Sequence, residues 1–475
     1  MRKTAALATA LLLSACATAG PDYRPPQQSA ANRPSAEGAF LSAKGDAFSP
    51  APLPDRWWRL YDDPRLDALV EEALGANADL RVADANLQRA EAVVREAAAA
   101  RTLSTGISGG LDLSRQSQTG GALPGVVTDN LGLALSYPLD LRGKLRRAIE
   151  ASEADREAVE AARDAVRVSV AAASTRAYAS VCAANYQLAV SQRVVELQRQ
   201  TLDATRRLQR GGRGTAFDVS RAAAAVEASS AALPAFTAAR QNALYLLATL
   251  LGRAPADYPR EAAACTSLPR LAGGLPVEDG AALIRRRADI RQAERAIAAD
   301  TARVGVATAD LYPQVSIGGS LGLSGPLEDF GSGDSFGFSL GPLLSWSFPN
   351  RPAVRARIRQ ADAQVRADVA NFDGAVLEAL RQAETAMETY ARDRERAAAL
   401  RRASDAAALS AAQAGKLFRF GRSDFLDLLS AQASLASAEV NRAAAEASLV
   451  DDQIAVFLAL GGGWQRDATA PQANP

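Results

Sequence analysis

Histidine is absent from this chain of 475 residues. Its absence removes imidazole acid–base catalysis, Ser-His-Asp triads and nearly all zinc-hydrolase ligand sets, so an enzyme is not the expectation, and no cofactor or metal site is expected. An excess of charge of one sign is lacking too: 54 Lys and Arg stand against 53 Asp and Glu, a formal net of +1. A phosphate-binding surface shows as a basic excess or stripe, so nucleic acid is not an expected partner. The apolar run near the start, Ala5 to Leu13, is short, which excludes it as a permanent bilayer-spanning helix. What is present, 48% hydrophobic and 23% charged residues, suffices to order a large protein and argues against disorder throughout.

That short run follows Arg2 and Lys3 and ends in Leu13-Ser14-Ala15-Cys16, the pattern of a signal peptide over residues 1–15. The ending resembles a bacterial lipobox, which implies that the Cys16 thiol is lipidated and the new N-terminus acylated. Several acyl chains, at ~0.8 kcal/mol per buried methylene, would hold the N-terminus on a membrane. Ala17 stands where Asp would suggest inner-membrane retention, which favours the outer membrane. Seven prolines between Ala17 and Pro54 suit an extended tether, assigned to residues 16–55.

Beyond it the chain is a duplication. "NADLRVADANLQRAEAVV" from Asn77 answers to "RADIRQAERAIAADTARV" from Arg287 at an offset of 210, which becomes 209 after one deletion and holds to Leu251-Gly252 and Leu460-Gly461. Repeat one is placed at 56–252 and repeat two at 277–461, with an inter-repeat segment at 253–276 and a tail at 462–475. Two copies are too few for a stacked solenoid. Within each copy Pro64 to Arg101, or its counterpart, has helical spacing, and then alternation takes over. Ile107, Leu111 and Leu113 alternate with small or polar residues, as do Leu131, Leu133, Leu135 and Tyr137. The second copy repeats this with Val315 to Leu323 and with Phe336 to Phe348. These four segments, apolar on one face and small or polar on the other, have the length of tilted membrane strands beside a wet lumen. Four strands cannot close a barrel, and an open edge in lipid leaves backbone groups unsatisfied. The chain is therefore expected to oligomerise, three copies supplying twelve strands or two supplying eight.

Arg142 to Gln209 follows without a proline or a turn signal, a helix on the order of 100 Å at about 1.5 Å per residue. Its counterpart is Ala353 to Arg419. The turn "GRGTAFDVSRAA" from Gly212 recurs as "GRSDFLDLLSAQ" from Gly421. Glycines permit the reversal, after which Thr215 or Asp424 caps a returning helix. The returning helices are about half as long as their partners, so the N-terminal helix of each repeat is expected to stack end to end with one of them. Pro234, against Ala443 in the second copy, predicts a kink in the first returning helix alone. Cys182 lies in the first long helix and Cys265 between the repeats; their spacing leaves open whether they are bonded.

"WWRLYDDPRLDALVEEALGANADLRVADANLQRAEA", "RADIRQAERAIAADTARVGVATADLYPQVSIGGSLG", "LLSAQASL" and the terminal "FLALGGGW" together resemble the TolC-type outer-membrane factors, in the NodT-like lipoprotein branch of resistance-nodulation-division efflux systems. The resemblance runs from the lipobox to Trp464. It implies a mixed α and β fold of two tandem repeats, assembled as a homotrimer. A 12-stranded β-barrel in the outer membrane would continue as a 12-helix tunnel into the periplasm. It further implies a passive exit duct that works with a periplasmic adaptor and an inner-membrane pump and is closed at the hairpin tips. Alternatives are a type I secretion exit duct and a non-conducting scaffold lipoprotein. By the same resemblance the gate falls on Leu426 and Ser430, with Asp424 and Asp427 as candidate acids, since the family commonly has Asp where this chain has Ser430. Tip contacts to the adaptor fall on Gly212, Arg213, Gly214, Thr215, Gly421, Arg422 and Ser423. Arg213 and Arg422 depart from the Leu that the family often places there.

Overall fold

The structure, a computed structural model, describes residues 18–114, 126–271, 273–346 and 351–462. Helices α1 (Pro64–Ala76) and α2 (Ala78–Ala99) lead to strands β1 (Ser104–Ser114) and β2 (Val126–Leu139). The long α3 (Lys144–Arg210), then α4 (Ala216–Ser230) and α5 (Leu233–Leu250), complete the first copy. The second copy runs α6 (Gly280–Arg286), α7 (Ala288–Ala309), β3 (Gln314–Pro326), β4 (Phe336–Ser345), α8 (Arg351–Arg419) and α9 (Phe425–Ala459). The counterpart of β1 begins at Gln314, at the offset of 210 that the sequence shows. The described chain forms two compact units.

The first unit holds the strands and the adjoining helix ends. Its sheet is antiparallel in chain order, β1-β2-β3-β4. Register places Ile107, Leu133, Leu321 and Phe338 in one row across all four strands. The adjacent row, one residue along, is Ser108, Gly132, Gly322 and Gly337. Since successive side chains point to opposite faces, one face is apolar and the other is lined by glycine and small or polar side chains such as Asn130, Ser320 and Ser339. Ile107 and Phe338 are about four-fifths exposed, so in the single chain the apolar face is uncovered. Within the sheet β1 and β4 each pair on one side only, the open edges that require further copies. Trp346 lies just past the end of β4, and Phe348 falls outside the described residues. No described helix is long and apolar enough to cross a membrane.

The second unit contains the helical turns and the inter-repeat segment. Here the "WWRLYDD" motif acts as an anchor: Trp57 and Trp58 are buried, Trp57 stacks on Phe457 at 4.6 Å, and Tyr178 donates a 2.6 Å bond to Asp63. Asp63 also caps α1. Cys182 and Cys265 are joined by a disulfide with Cα atoms 5.0 Å apart, which fastens the inter-repeat segment to α3.

Two expectations need correction. Pro64 to Arg101 is two helices broken at Asn77, not one helix. Asn77 stays extended because its side chain serves two helix ends: Oδ1 accepts from the backbone N–H of Asp79 and Leu80, and Nδ2 donates to the carbonyl of Leu250 at 3.0 Å. The end of α5 thus meets the start of α2, the end-to-end stacking expected from the helix lengths, and the break is the joint. In the second copy Arg287 fills this position and donates to the Ala459 carbonyl at 2.9 Å. The second correction concerns the proline-rich segment. Its described residues are fastened, not free. In the first unit Asp22 pairs with Arg147 at 2.6 Å and the Tyr23 hydroxyl donates to Glu294 at 2.9 Å. In the second, Ser29 donates to Asp373, the Leu41 and Ser42 N–H groups donate to Glu384, and Asp46 pairs with Arg394. Those three partners recur about every three turns along α8.

Candidate functional site

The two turns close with the same hydrogen bonds. At the end of α3, Gly212 N–H bonds the Gln209 carbonyl at 3.0 Å and Arg213 N–H bonds Leu208 at 2.8 Å. At the end of α8, Gly421 bonds Phe418 at 3.0 Å and Arg422 bonds Leu417 at 2.9 Å. This pair of bonds satisfies two carbonyls of each helix end and needs a left-handed residue, which Gly212 (φ 70°) and Gly421 (φ 67°) supply. Gly214 is constrained differently: a Cβ there would meet the Gln209 nitrogen at 3.2 Å.

Each returning helix then begins on a side-chain cap. Thr215 accepts from the Asp218 N–H at 3.1 Å, and Asp218 accepts from the Thr215 N–H at the same distance. Asp424 accepts from the Asp427 N–H at 2.8 Å, and the Ser423 hydroxyl donates to Asp427 at 2.7 Å. Both acids considered for the gate are therefore engaged in starting α9, which is the ordinary use of an acid at a helix N-terminus.

Leu426 and Ser430 lie one turn apart on one exposed face of α9, Leu426 being 52% exposed. The opposite face is packed. Phe425 lies against the cluster of Leu202, Ala222 and Val226, and the buried Gln432 donates to Thr201 at 2.7 Å. This packing holds the start of α9 to α3 and α4 while leaving Leu426 and Ser430 free. Arg213 and Arg422 are exposed at the turns, and Phe217 (66%) and Phe420 (79%), within four residues of them in sequence, are exposed as well. Cys16 lies outside the described residues.

Sequence reasoning reaches Arg221 of the first copy but misses its neighbour Phe217 and the acids deeper in α8 and α9, which the offset of 209 exposes. Leu426 corresponds to Phe217 and Ser430 to Arg221, whose guanidinium lies over the Phe217 ring, 5.5 Å from its centroid. Away from the tips, the α8–α9 packing contains acid where the α3–α5 packing has alanine. Burial pushes the Asp452 carboxyl up to about 7, and the adjacent carboxylates of Asp393 and Asp451 act in the same direction. Burial likewise raises Glu446, but bonds from Tyr186 (2.6 Å) and Arg401 (2.8 Å) outweigh it and hold that carboxyl below its usual range. Among the described residues no group of three or more His, Cys, Asp and Glu side chains is placed to hold a metal ion.

Comparison with known proteins gives concordant findings. Residues 69–253 and 281–462 match the family described as "Outer membrane efflux protein". The chain is 29% identical over 464 residues to nodulation protein T of Rhizobium leguminosarum bv. trifolii, covering 97% of both chains. It is 30% identical over 442 residues to the pyoverdine export outer membrane protein OpmQ of Pseudomonas putida, covering 88% of this chain and 90% of that one. The solved structure of the outer-membrane channel OprN superposes with a TM-score of 0.86 at 36% identity, covering 94% of this chain and 99% of the other.

Proposed function

Since the chain belongs to the outer membrane efflux protein family and has the fold of its trimeric barrel-and-tunnel channels, we propose that it is the passive exit duct of a tripartite efflux pump. In this reading the hairpin turns form the periplasmic entrance, which an adaptor protein opens and an inner-membrane pump of the resistance-nodulation-division type energises. The observation that carries it is the identity of the two turns. Both end a helix of more than 65 residues in the same hydrogen-bonded reversal, with exposed Arg and Phe side chains at each. Aromatic and Arg side chains are the residue types that dominate protein interfaces. No chemistry is assigned to the duct, and the entrance is its one moving part.

Leu426 and Ser430 form the constriction in this reading, three copies of each making successive rings under three-fold symmetry. Lipidation of Cys16 adds an anchor that the barrel does not need, since closed strands satisfy their own backbone groups in lipid. Palmitate labelling tests it: Cys16→Ser abolishes incorporation and leaves a foldable trimer, whereas label in that variant would show the anchor to be elsewhere. Single-channel recording on purified trimers tests the duct itself. Conductance is expected, together with drug hypersensitivity of a strain lacking the protein. A folded trimer that never conducts, even as Leu426→Ala, would favour a scaffold.

A further inference from the structure

The charges around the hairpin turns are distributed unevenly. Between Leu202 and Arg221 five arginines face two aspartates, and between Gly415 and Ser430 three basic residues face two aspartates. The acids are occupied: Asp203 pairs with Arg206 at 3.5 Å, Asp218 and Asp424 cap helices, and Asp427 accepts from Ser423. Arg207, Arg210, Lys416 and Arg419 lie in the last turns of α3 and α8, where they complement the helix dipoles. Arg213 and Arg422 are past the helix ends, on the turns themselves, and exposed.

From Ser430 to Ser448 the exposed residues of α9 behind them are uncharged. Leu426, Ser430, Ser434, Ser437, Asn441 and Ser448 recur at helical spacing as the exposed stripe of α9, and none is ionisable. Asp427, Glu439, Glu446 and Asp451 of α9 are all engaged: Asp427 accepts from Ser423, Glu439 bonds Ser404 and Arg442, Glu446 bonds Tyr186 and Arg401, and the exposed Asp451, one turn beyond the stripe, pairs with Arg176. In α4 the position matching Ser430 is a further base, Arg221, and the exposed Glu227 lies more than two turns deeper than Phe217. That separation exceeds the Debye length of about 8 Å at physiological salt.

We propose that the periplasmic entrance is anion-selective, set by Arg213 and Arg422, and that the duct favours cargo that is anionic at neutral pH. The inference rests on the conduit reading above. Each chain brings eight basic groups and four carboxylates to its two turns, so the six turns of a trimer gather a twofold excess of positive charge at one mouth. Rings of Arg or Lys at a constriction select anions, as rings of Asp or Glu select cations. A narrow mouth with low-dielectric walls focuses this field and raises the local concentration of the opposite charge. The hydroxyl and amide stripe beyond it adds no barrier of either sign.

The test is the reversal potential of full-length trimers in planar bilayers under a KCl gradient, recorded in wild type and in the Leu426→Ala background so that open channels are available. Wild type is expected to reverse on the chloride side, with selectivity weakening as salt is raised. The Arg213→Glu, Arg422→Glu double variant is expected to change the sign of the potential, and the Arg213→Lys, Arg422→Lys pair to keep it. Trimer bands on unheated gels establish that each variant is assembled. A conducting wild type that reverses on the potassium side or at zero overturns the inference but leaves the duct intact. A chloride-selective wild type unmoved by the Glu pair also overturns it, by placing the selectivity elsewhere. Absence of all conductance overturns the conduit reading itself.

Discussion

Where the second hairpin has Leu426 and Ser430, the first has Phe217 with Arg221 laid across its ring. The differences continue along the helices. Asp393 and Asp452 of the second copy correspond to the buried Ala184 and Ala243 of the first, Ala443 corresponds to Pro234, and Cys182 corresponds to Ala391. Against this, the turn hydrogen bonds, the left-handed glycines, the side-chain caps and the joints at Asn77 and Arg287 recur at fixed offsets. The two copies agree where backbone groups must find partners. They diverge where a side chain can choose among neighbours, and there one hairpin is stapled and interrupted while the other is continuous and carries half-buried acid.

Exchanging the interrupted and continuous helices breaks the comparison most severely. Ala443 is 1% exposed inside α9, whereas Pro234 occupies the first turn of α5, after a break at Ala231 and Ala232. Ala443→Pro therefore costs about 3 kcal/mol or more and abolishes the trimer band on unheated gels, while Pro234→Ala leaves it in place. The staple comes next. Cys182→Ser removes a bridge between residues 83 apart, an expected loss of about 2–4 kcal/mol, read as a lower unfolding temperature by circular dichroism. Reducing agent reproduces that loss in wild type and leaves the variant unchanged.

The gate positions sharpen the comparison at a smaller scale. Burial of Leu426 against its symmetry mates is worth about 1.5–3 kcal/mol per side chain, and a Ser430 hydroxyl bond about 1 kcal/mol. Leu426→Ala is expected to raise basal conductance and sensitivity to vancomycin, with Ser430→Ala having little effect. A leaky Ser430→Ala beside an inert Leu426→Ala would shift the constriction to Phe217 and Arg221. Smallest is the pH effect. The Asp452 carboxyl, raised to about 7 in the folded chain from the ordinary 3.8, binds more protons folded than unfolded between those values. Stability from this group is thus lost as pH rises through that window, and acidification stabilises the α8–α9 packing. Asp452→Asn should flatten this part of the dependence of the unfolding temperature on pH; an unaltered profile would show that the carboxyl is not its source.

The strands were legible because alternation over ten or more residues leaves one apolar face, and the turns because glycine adopts the left-handed conformation of a helix reversal at least steric cost. The break at Asn77 was hidden, since Asn has no steric need to end a helix and its partner, the Leu250 carbonyl, is far along the chain. The fastening of the proline-rich segment was hidden for the same reason. Asp373, Glu384 and Arg394 look in sequence like any solvated helix face. Repetition made the site easier to find than to interpret: it marked the turns at once, yet only the packing of Phe425 and Gln432 shows which face of α9 is left free.

The strap along α8 also carries a clock. Its bonds join residues 342 to 348 apart in the chain, so Ser29, Leu41, Ser42 and Asp46 emerge from secretion long before Asp373, Glu384 and Arg394 exist to receive them. Contacts of such separation form late, after the intervening chain has been ordered. The strap at residues 29–46 is therefore translocated early and fastened late, after Asp22 has met Arg147 only 125 residues on, and the interval is a window in which the nascent chain is open to chaperones and proteases.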